Sequence, residues 1–291
     1  MATGLVWLFC VILAGSARAN TVTVNTLEDL PGTSGNCSLR DAIDEIITPT
    51  TNPPPGDCGD SDPNGVDTIT FSVTGTIALL AALPQIKDID EGLNIVGPGA
   101  RSLTISGNAP NDGVSAVQVL RVQPNEKVTI EGVTIANGRA PKNGGGIQNF
   151  GQLTVKNTSF IGNTALEDGG AISNEKPGQL TVLNSTFSGN FIDNETPQEE
   201  EGGAVLNLDG TATIANSTFF GNRVPNTGGA ILNSGNNDGT GILTLINSTI
   251  NGNTGSEAGG GIFTGGARLG FATRCSQPTP ETTADRRLGV S

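Results

Sequence analysis

Histidine and tyrosine are absent from this 291-residue chain, and its single tryptophan, Trp7, lies in the opening segment. Without an imidazole there is no Ser-His-Asp triad and no histidine metal site. Without Trp or Tyr in the body of the chain there is no such ring face on which sugars or bases could stack. Aromatic residues make up 4% and charged residues 15%, both low for an ordinary globular enzyme. Basic residues are scarce as well: Lys+Arg number 15 against 28 Asp+Glu, and the net charge of −13 repels phosphate backbones, which excludes nucleic acid as a partner. What the chain has in quantity is 42 glycines and 28 asparagines, the composition of a chain made of turns.

The start has the form of an export signal. Residues 5–14 (LVWLFCVILA) are an apolar run too short to span a bilayer, followed by Ala17-Arg18-Ala19, a small-x-small cleavage site. Cleavage after Ala19 removes Arg18 and no acid, so the mature charge becomes 14 − 28 = −14. No later segment has the apolar length of a membrane helix, and the expected product is secreted or held at the cell surface, outside the cytoplasm. Cys10 leaves with the signal. Cys37 and Cys58 flank a proline-rich loop and are expected to form a disulfide in an oxidising compartment, which leaves Cys275 as the odd thiol.

Internal repetition decides the architecture. A Gly-Gly-small-aliphatic element followed by an asparagine-rich strand unit recurs: GGGIQN (144–149) with LTVKNTSFIGN (153–163), GGAISN (169–174) with LTVLNSTFSGN (180–190), GGAVLN (202–207) with ATIANSTFFGN (212–222), and GGAILN (228–233) with LTLINSTINGN (243–253). The aliphatic position recurs at Ile147, Ile172, Val205, Ile231 and Ile262, at spacings of 25, 33, 26 and 31. Alternation in Leu153-Thr154-Val155 is the period of a strand with one buried face, and Phe160, Phe187, Phe219 and Ile250 supply one bulky residue per turn from a second strand. Strands this short need stacked neighbours, so the fold expected is all-β, a right-handed parallel β-helix. Asn157, Asn184, Asn216 and Asn247 are expected to stand in one column as an inward ladder of amides at left-handed corners, which would make their four glycosylation sequons unavailable.

The expected domain order is a signal at 1–19, a cap region at 20–66, a β-helix over 67–265 that is regular from about 144, and an irregular tail at 266–291. In the cap, Ser38-Leu39-Arg40-Asp41 has the form of a capping box, and Leu39, Ala42, Ile43, Ile46 and Ile47 recur with helical spacing. An amphipathic helix there would cover the open apolar end of the solenoid. The tail after GGGIFT breaks the pattern and carries Arg268, Arg274, Arg286 and Arg287, as a truncated, frame-shifted or disordered end would.

At these residues the chain resembles two overlapping bacterial families. Residues 37–42 (CSLRDA) resemble the CSLREA motif of exported β-helix proteins, with Asp41 in place of Glu. The repeats resemble those of polymorphic outer membrane proteins, which pair GGA[ILV] with FxxN; residues 169–172, 202–205 and 228–231 match the first element, and 160–163, 187–190 and 219–222 the second. Residues 250–253 begin with Ile in place of Phe. The resemblance covers residues 20 to about 265 and implies an exported passenger associated with the outer membrane or cell surface, often an adhesin, whose partner is a surface ligand such as a glycan or another cell. It implies no catalytic residue. Departing from those families, no anchor or translocating barrel is expected after the repeats of this chain.

Three chemistries compete with that reading. Asp60, Asp62 and Asn64 alternate before Gly65, with Asp67 near by, as the first half of a calcium loop does; the twelfth position is Phe71 where such a loop needs Glu. A polysaccharide lyase or hydrolase, suggested by fold analogy alone, would draw on Arg139 or Lys142 as base and on Glu167, Asp168 or Glu199, Glu200 and Glu201 as acids, but no two of these recur at matching positions in adjacent coils. Thr154, Thr181, Thr213 and Thr244 form an outward column that could order water as some ice-binding solenoids do, although unequal loops between rungs argue against flatness. The function expected is therefore structural or adhesive, with no cofactor unless it is calcium.

Overall fold

The computed structural model describes residues 21–30, 32, 35–48, 58, 65–89, 91–107, 117–193, 202–225, 227–235, 240–255 and 259–272. These residues form a parallel β-solenoid whose walls are four sheets of nine, seven, six and five strands. One turn of the regular part shows the path. Gln179–Leu183 lies in the nine-stranded sheet, Thr186–Ser188 in the seven-stranded, Phe191–Ile192 in the five-stranded and Val205–Leu208 in the six-stranded sheet. Every named strand pairing is parallel and in register with the equivalent strand of the next coil, for example Leu153↔Leu180, Leu180↔Ala212 and Ala212↔Leu243.

The sequence alternation becomes continuous inward columns. Val155, Val182, Ile214 and Leu245 stack in one column and Ile147, Ile172, Val205 and Ile231 in another, all at 1% exposure or less. Phe160, Phe187 and Phe219 stack face to face, with ring centroids 4.7 and 4.6 Å apart and planes within 2° and 4° of parallel. The coil spacing of roughly 4.8 Å imposes that arrangement, since a ring in the same rotamer on each coil has nowhere else to go.

The Gly-Gly element is explained by two separate constraints. Its first glycine turns the chain with a positive φ, as at Gly202 (101°) and Gly228 (70°). Its second runs against the next coil: a Cβ on Gly170 would lie 2.3 Å from the Gly203 carbonyl oxygen, and one on Gly203 would lie 2.2 Å from that of Gly229. Only hydrogen fits there.

The solenoid begins earlier and ends later than expected. Thr21–Val24 is the first strand of the nine-stranded sheet and pairs with Asp67–Phe71, so the segment assigned to the cap already contributes to the wall. At the other end Arg268–Ala272 pairs with Ile242–Ile246 and extends the same sheet past 265, because Leu269 and Phe271 keep the alternation of the strand beneath them.

Between the first two strands sits the helix Leu39–Ile47, packed on both of them with Leu39, Ala42, Ile43 and Ile46 buried. Its capping box is formed, and Asp41 accepts from the Ser38 backbone and hydroxyl at 3.3 and 2.7 Å. Asp41 Oδ1 also accepts from the Gly32 amide at 3.0 Å. Arg40 clamps Asp29 through Nε (3.0 Å) and Nη2 (2.7 Å) and donates to the carbonyls of Ala81 and Ala82. The Asp29 carboxylate is wholly buried, so this bidentate pair ties three segments together and could not lose its arginine cheaply. Desolvation raises the carboxyl pKa of Asp44, one turn on, against the lowering pull of Arg40 and with a smaller push from Asp41. A disulfide joins Cys37 to Cys58, as expected.

Candidate functional site

The corner asparagines are where the expectation needs correcting. Asn157, Asn184, Asn216 and Asn247 do align in one column and do adopt the left-handed conformation, with φ of 49, 50, 51 and 46°. Their side chains nevertheless face solvent, and all four residues are exposed. The inward place at this corner belongs to the next residue: Thr158, Ser185, Ser217 and Ser248 are at most 2% exposed. Each of these hydroxyls donates to the carbonyl two residues back at 2.8 to 3.0 Å, and the Ser185, Ser217 and Ser248 oxygens accept the backbone N–H of the coil before. A left-handed residue reverses the side on which the following side chain emerges. A hydroxyl, smaller than an amide and able to serve its own backbone, therefore fills the interior.

The buried amide ladders are built from other asparagines. In one, Asn163, Asn190, Asn222 and Asn253 are linked by Nδ2–Oδ1 bonds of 2.9, 2.9 and 2.8 Å. Each Oδ1 from Asn190 onward also accepts the preceding ladder residue's backbone N–H at 2.9 to 3.0 Å. In the other, Asn149, Asn174, Asn207 and Asn233 are linked at 2.6, 2.6 and 2.7 Å. Both sets recur in the sequence at fixed positions, as the end of GN and the end of GGAILN, and that recurrence was the available signal.

Each matched stretch in the family comparison begins at a corner asparagine and ends beyond a ladder asparagine. The model of the Chlamydia polymorphic membrane protein repeat matches residues 157–175 and 216–234. The chain is therefore a β-solenoid with repeats like those of the polymorphic membrane proteins. The two stretches contain the stacked Phe160 and Phe219, the Gly-Gly pairs, and two rungs of each ladder, so the repeat is a unit of stacking rather than of chemistry. No curated protein and no solved structure matches the chain.

Of the charges named for a groove, Lys142 and Glu167 meet each other, whereas Arg139 pairs with Asp193, which was not among them. Arg139 Nη2 lies 2.8 Å from Asp193 Oδ2, and Lys142 Nζ lies 3.6 Å from Glu167 Oε1. Lys142 and Glu167 do occupy matching places on adjacent coils, since the Glu167 amide donates to the Lys142 carbonyl at 3.1 Å. All four side chains are at least 42% exposed, and pairs so exposed contribute little to stability. Asp168 sits beside them, its carbonyl accepting from Gly144, while Glu199, Glu200 and Glu201 lie outside the described residues.

Asp60, Asp62 and Asn64 of the calcium pattern also lie outside the described residues. Asp67 opens a strand, is 7% exposed, and has its amide bonded to the Gly92 carbonyl. Among the described residues no three His, Cys, Asp or Glu side chains converge in a way that could hold a metal ion. No helix among them is long and apolar enough to cross a membrane.

On the outer face of the nine-stranded sheet Thr129, Thr154, Thr181, Thr213 and Thr244 stand in strict register and half exposed. The unequal loops leave this register untouched, because they emerge elsewhere on the coil. The outer face of the six-stranded sheet differs in kind: Arg121, Gln148 and Ser173 are register neighbours, and Glu175 lies two residues beyond Ser173. Nothing in the sequence spacing draws these four together, and only the stacking of coils does.

Proposed function

We propose that this chain is an exported, surface-exposed β-solenoid whose role is structural and adhesive. The observation that carries the reading is the division of labour within the repeat. Among the residues that recur from coil to coil, the paired glycines, the phenylalanines, the ladder asparagines and the corner hydroxyls all serve the stack, and the corner asparagines serve its turn. Apart from the outward threonine column, variation is left to outward positions and loops, as in a scaffold that displays a surface. The apolar run at 5–14 with its cleavage site, the disulfide, and the polymorphic membrane protein repeats support export and surface placement. The lyase alternative is weakened because both of its basic candidates, Arg139 and Lys142, face carboxylates as ion pairs.

The test is expression in a bacterial host that exports the chain. N-terminal sequencing should find Asn20 first, intact cells should lose the protein to added protease, and beads coated with it should bind cells. Retention in the cytoplasm with residues 1–19 in place would refute export, and coated beads that bind no cell type would refute adhesion. Calcium-dependent release of unsaturated products from polygalacturonate would replace the adhesive reading with the lyase one.

A further inference from the structure

We infer that the outer face of the six-stranded sheet, around Arg121, Gln148 and Glu175, binds a neutral saccharide. This inference rests on the adhesive reading and names its ligand class. One oxygen of Glu175, Oε1, accepts three hydrogen bonds, from Gln148 Nε2 at 2.8 Å, Ser173 Oγ at 2.8 Å and Asn143 Nδ2 at 3.2 Å. That fixes the carboxylate's orientation and leaves its Oε2 without a donor among the described residues, as it leaves the Gln148 carbonyl oxygen. One coil below Gln148, the Arg121 guanidinium lies 5.1 Å from the centre of the Phe150 ring and forms no ion pair among the described residues. Two polar atoms of this group, Arg121 Nε and Asn143 Oδ1, are buried with no hydrogen-bond partner among the described residues. Unpaired buried polar atoms are rare in native proteins, and two in one cluster mark a place whose hydrogen bonding is unfinished.

The chemistry selects the ligand. A guanidinium fork, a carboxylate oxygen and an amide oxygen held at fixed spacing offer donors and acceptors side by side, which suits vicinal hydroxyls, since each can both donate and accept. Arg121 and Glu175 cancel in charge, and the chain as a whole carries −13, so an acidic polymer gains nothing here and meets long-range repulsion. Arg121 covers Phe150, so recognition runs through hydrogen bonds rather than ring stacking.

The experiment is a glycan array of neutral and acidic saccharides probed with the folded mature protein, followed by calorimetry on the strongest neutral oligosaccharide. Binding should fall about tenfold or more in Arg121→Ala and in Glu175→Gln, each of which removes a charged hydrogen-bonding partner, and should be unchanged in Thr213→Ala on the nine-stranded sheet. Arg121→Lys keeps the charge and loses the fork, so it should also bind weakly while unfolding at the wild-type temperature. No neutral saccharide bound, a preference for acidic ones, or binding indifferent to these substitutions would overturn the inference. Cell adhesion that persists in Arg121→Ala would overturn the saccharide site while leaving the adhesive reading standing; loss of all adhesion by the wild-type protein would remove the reading beneath it.

Discussion

Truncating Asn190 should cost far more stability than truncating Asn184, although both are asparagines recurring at the same spacing. Asn190 is wholly buried, and its Oδ1 accepts from the Asn163 backbone at 3.0 Å and from Asn163 Nδ2 at 2.9 Å. Its Nδ2 donates to the Phe160 carbonyl at 3.1 Å and to Asn222 Oδ1 at 2.9 Å. Asn190→Ala breaks all four bonds and leaves two donors of Asn163 and one carbonyl acceptor short of a partner in the buried interior. Each such group costs about 1–3 kcal/mol, so the substitution should destabilise by about 3–5 kcal/mol even if some relaxation or water entry offsets the loss. For a domain of this size that corresponds to a fall in melting temperature of roughly 6–15 °C. Asn184 is exposed and contributes only its tolerance of a φ of 50°. Asn184→Ala should cost about 1 kcal/mol and Asn184→Gly nearly nothing. The assay is thermal unfolding followed by far-ultraviolet circular dichroism on the three variants and the parent. Equal losses for Asn190→Ala and Asn184→Ala, or a loss under about 1 kcal/mol for Asn190→Ala, would refute the assignment of the buried ladder.

A similar contrast applies to glycine. Gly203→Ala places a methyl 2.2 Å from the Gly229 carbonyl oxygen and should cost about 1–3 kcal/mol or prevent folding, while Gly189→Ala, which meets nothing within 4 Å, should cost only about 1 kcal/mol for its positive φ. Phe187→Ala removes the middle ring of the stack and should cost about 3–5 kcal/mol, read in the same melting experiment. Cys37→Ser opens a disulfide that spans 21 residues and should cost about 3 kcal/mol, with hydrogen exchange rising first in the helix Leu39–Ile47 and its neighbours. Uniform protection across the chain in that variant would show that the cap is not held by the bridge.

Much of the fold was legible because a solenoid repeats its physics. Leu153-Thr154-Val155 and its counterparts alternate because one face is buried, and Phe160, Phe187 and Phe219 recur because each coil presents one ring to the same column. The helix showed itself through its capping box and its apolar spacing, both of which are local signals. The orientation of the corner asparagines was not legible: a recurring polar residue looks the same whether it forms a buried ladder or stands outside. Chain separation hid the surface sites as well. Lys142 and Glu167 look unrelated until the coils stack, and the pairing of Arg139 with Asp193 skips a coil.

The sequence alone determined the architecture, since strand alternation, paired glycines and a repeat too short to bury its own faces leave a stacked parallel solenoid as the physical outcome. It also determined which positions are free to vary. Which polar residues enter the interior was decided only by the tertiary structure, because a left-handed corner changes the side on which the next residue emerges and because backbone groups of the neighbouring coil must be paired. The tertiary structure likewise brought Arg121, Gln148 and Glu175 onto one face, through a vertical register that no linear spacing contains.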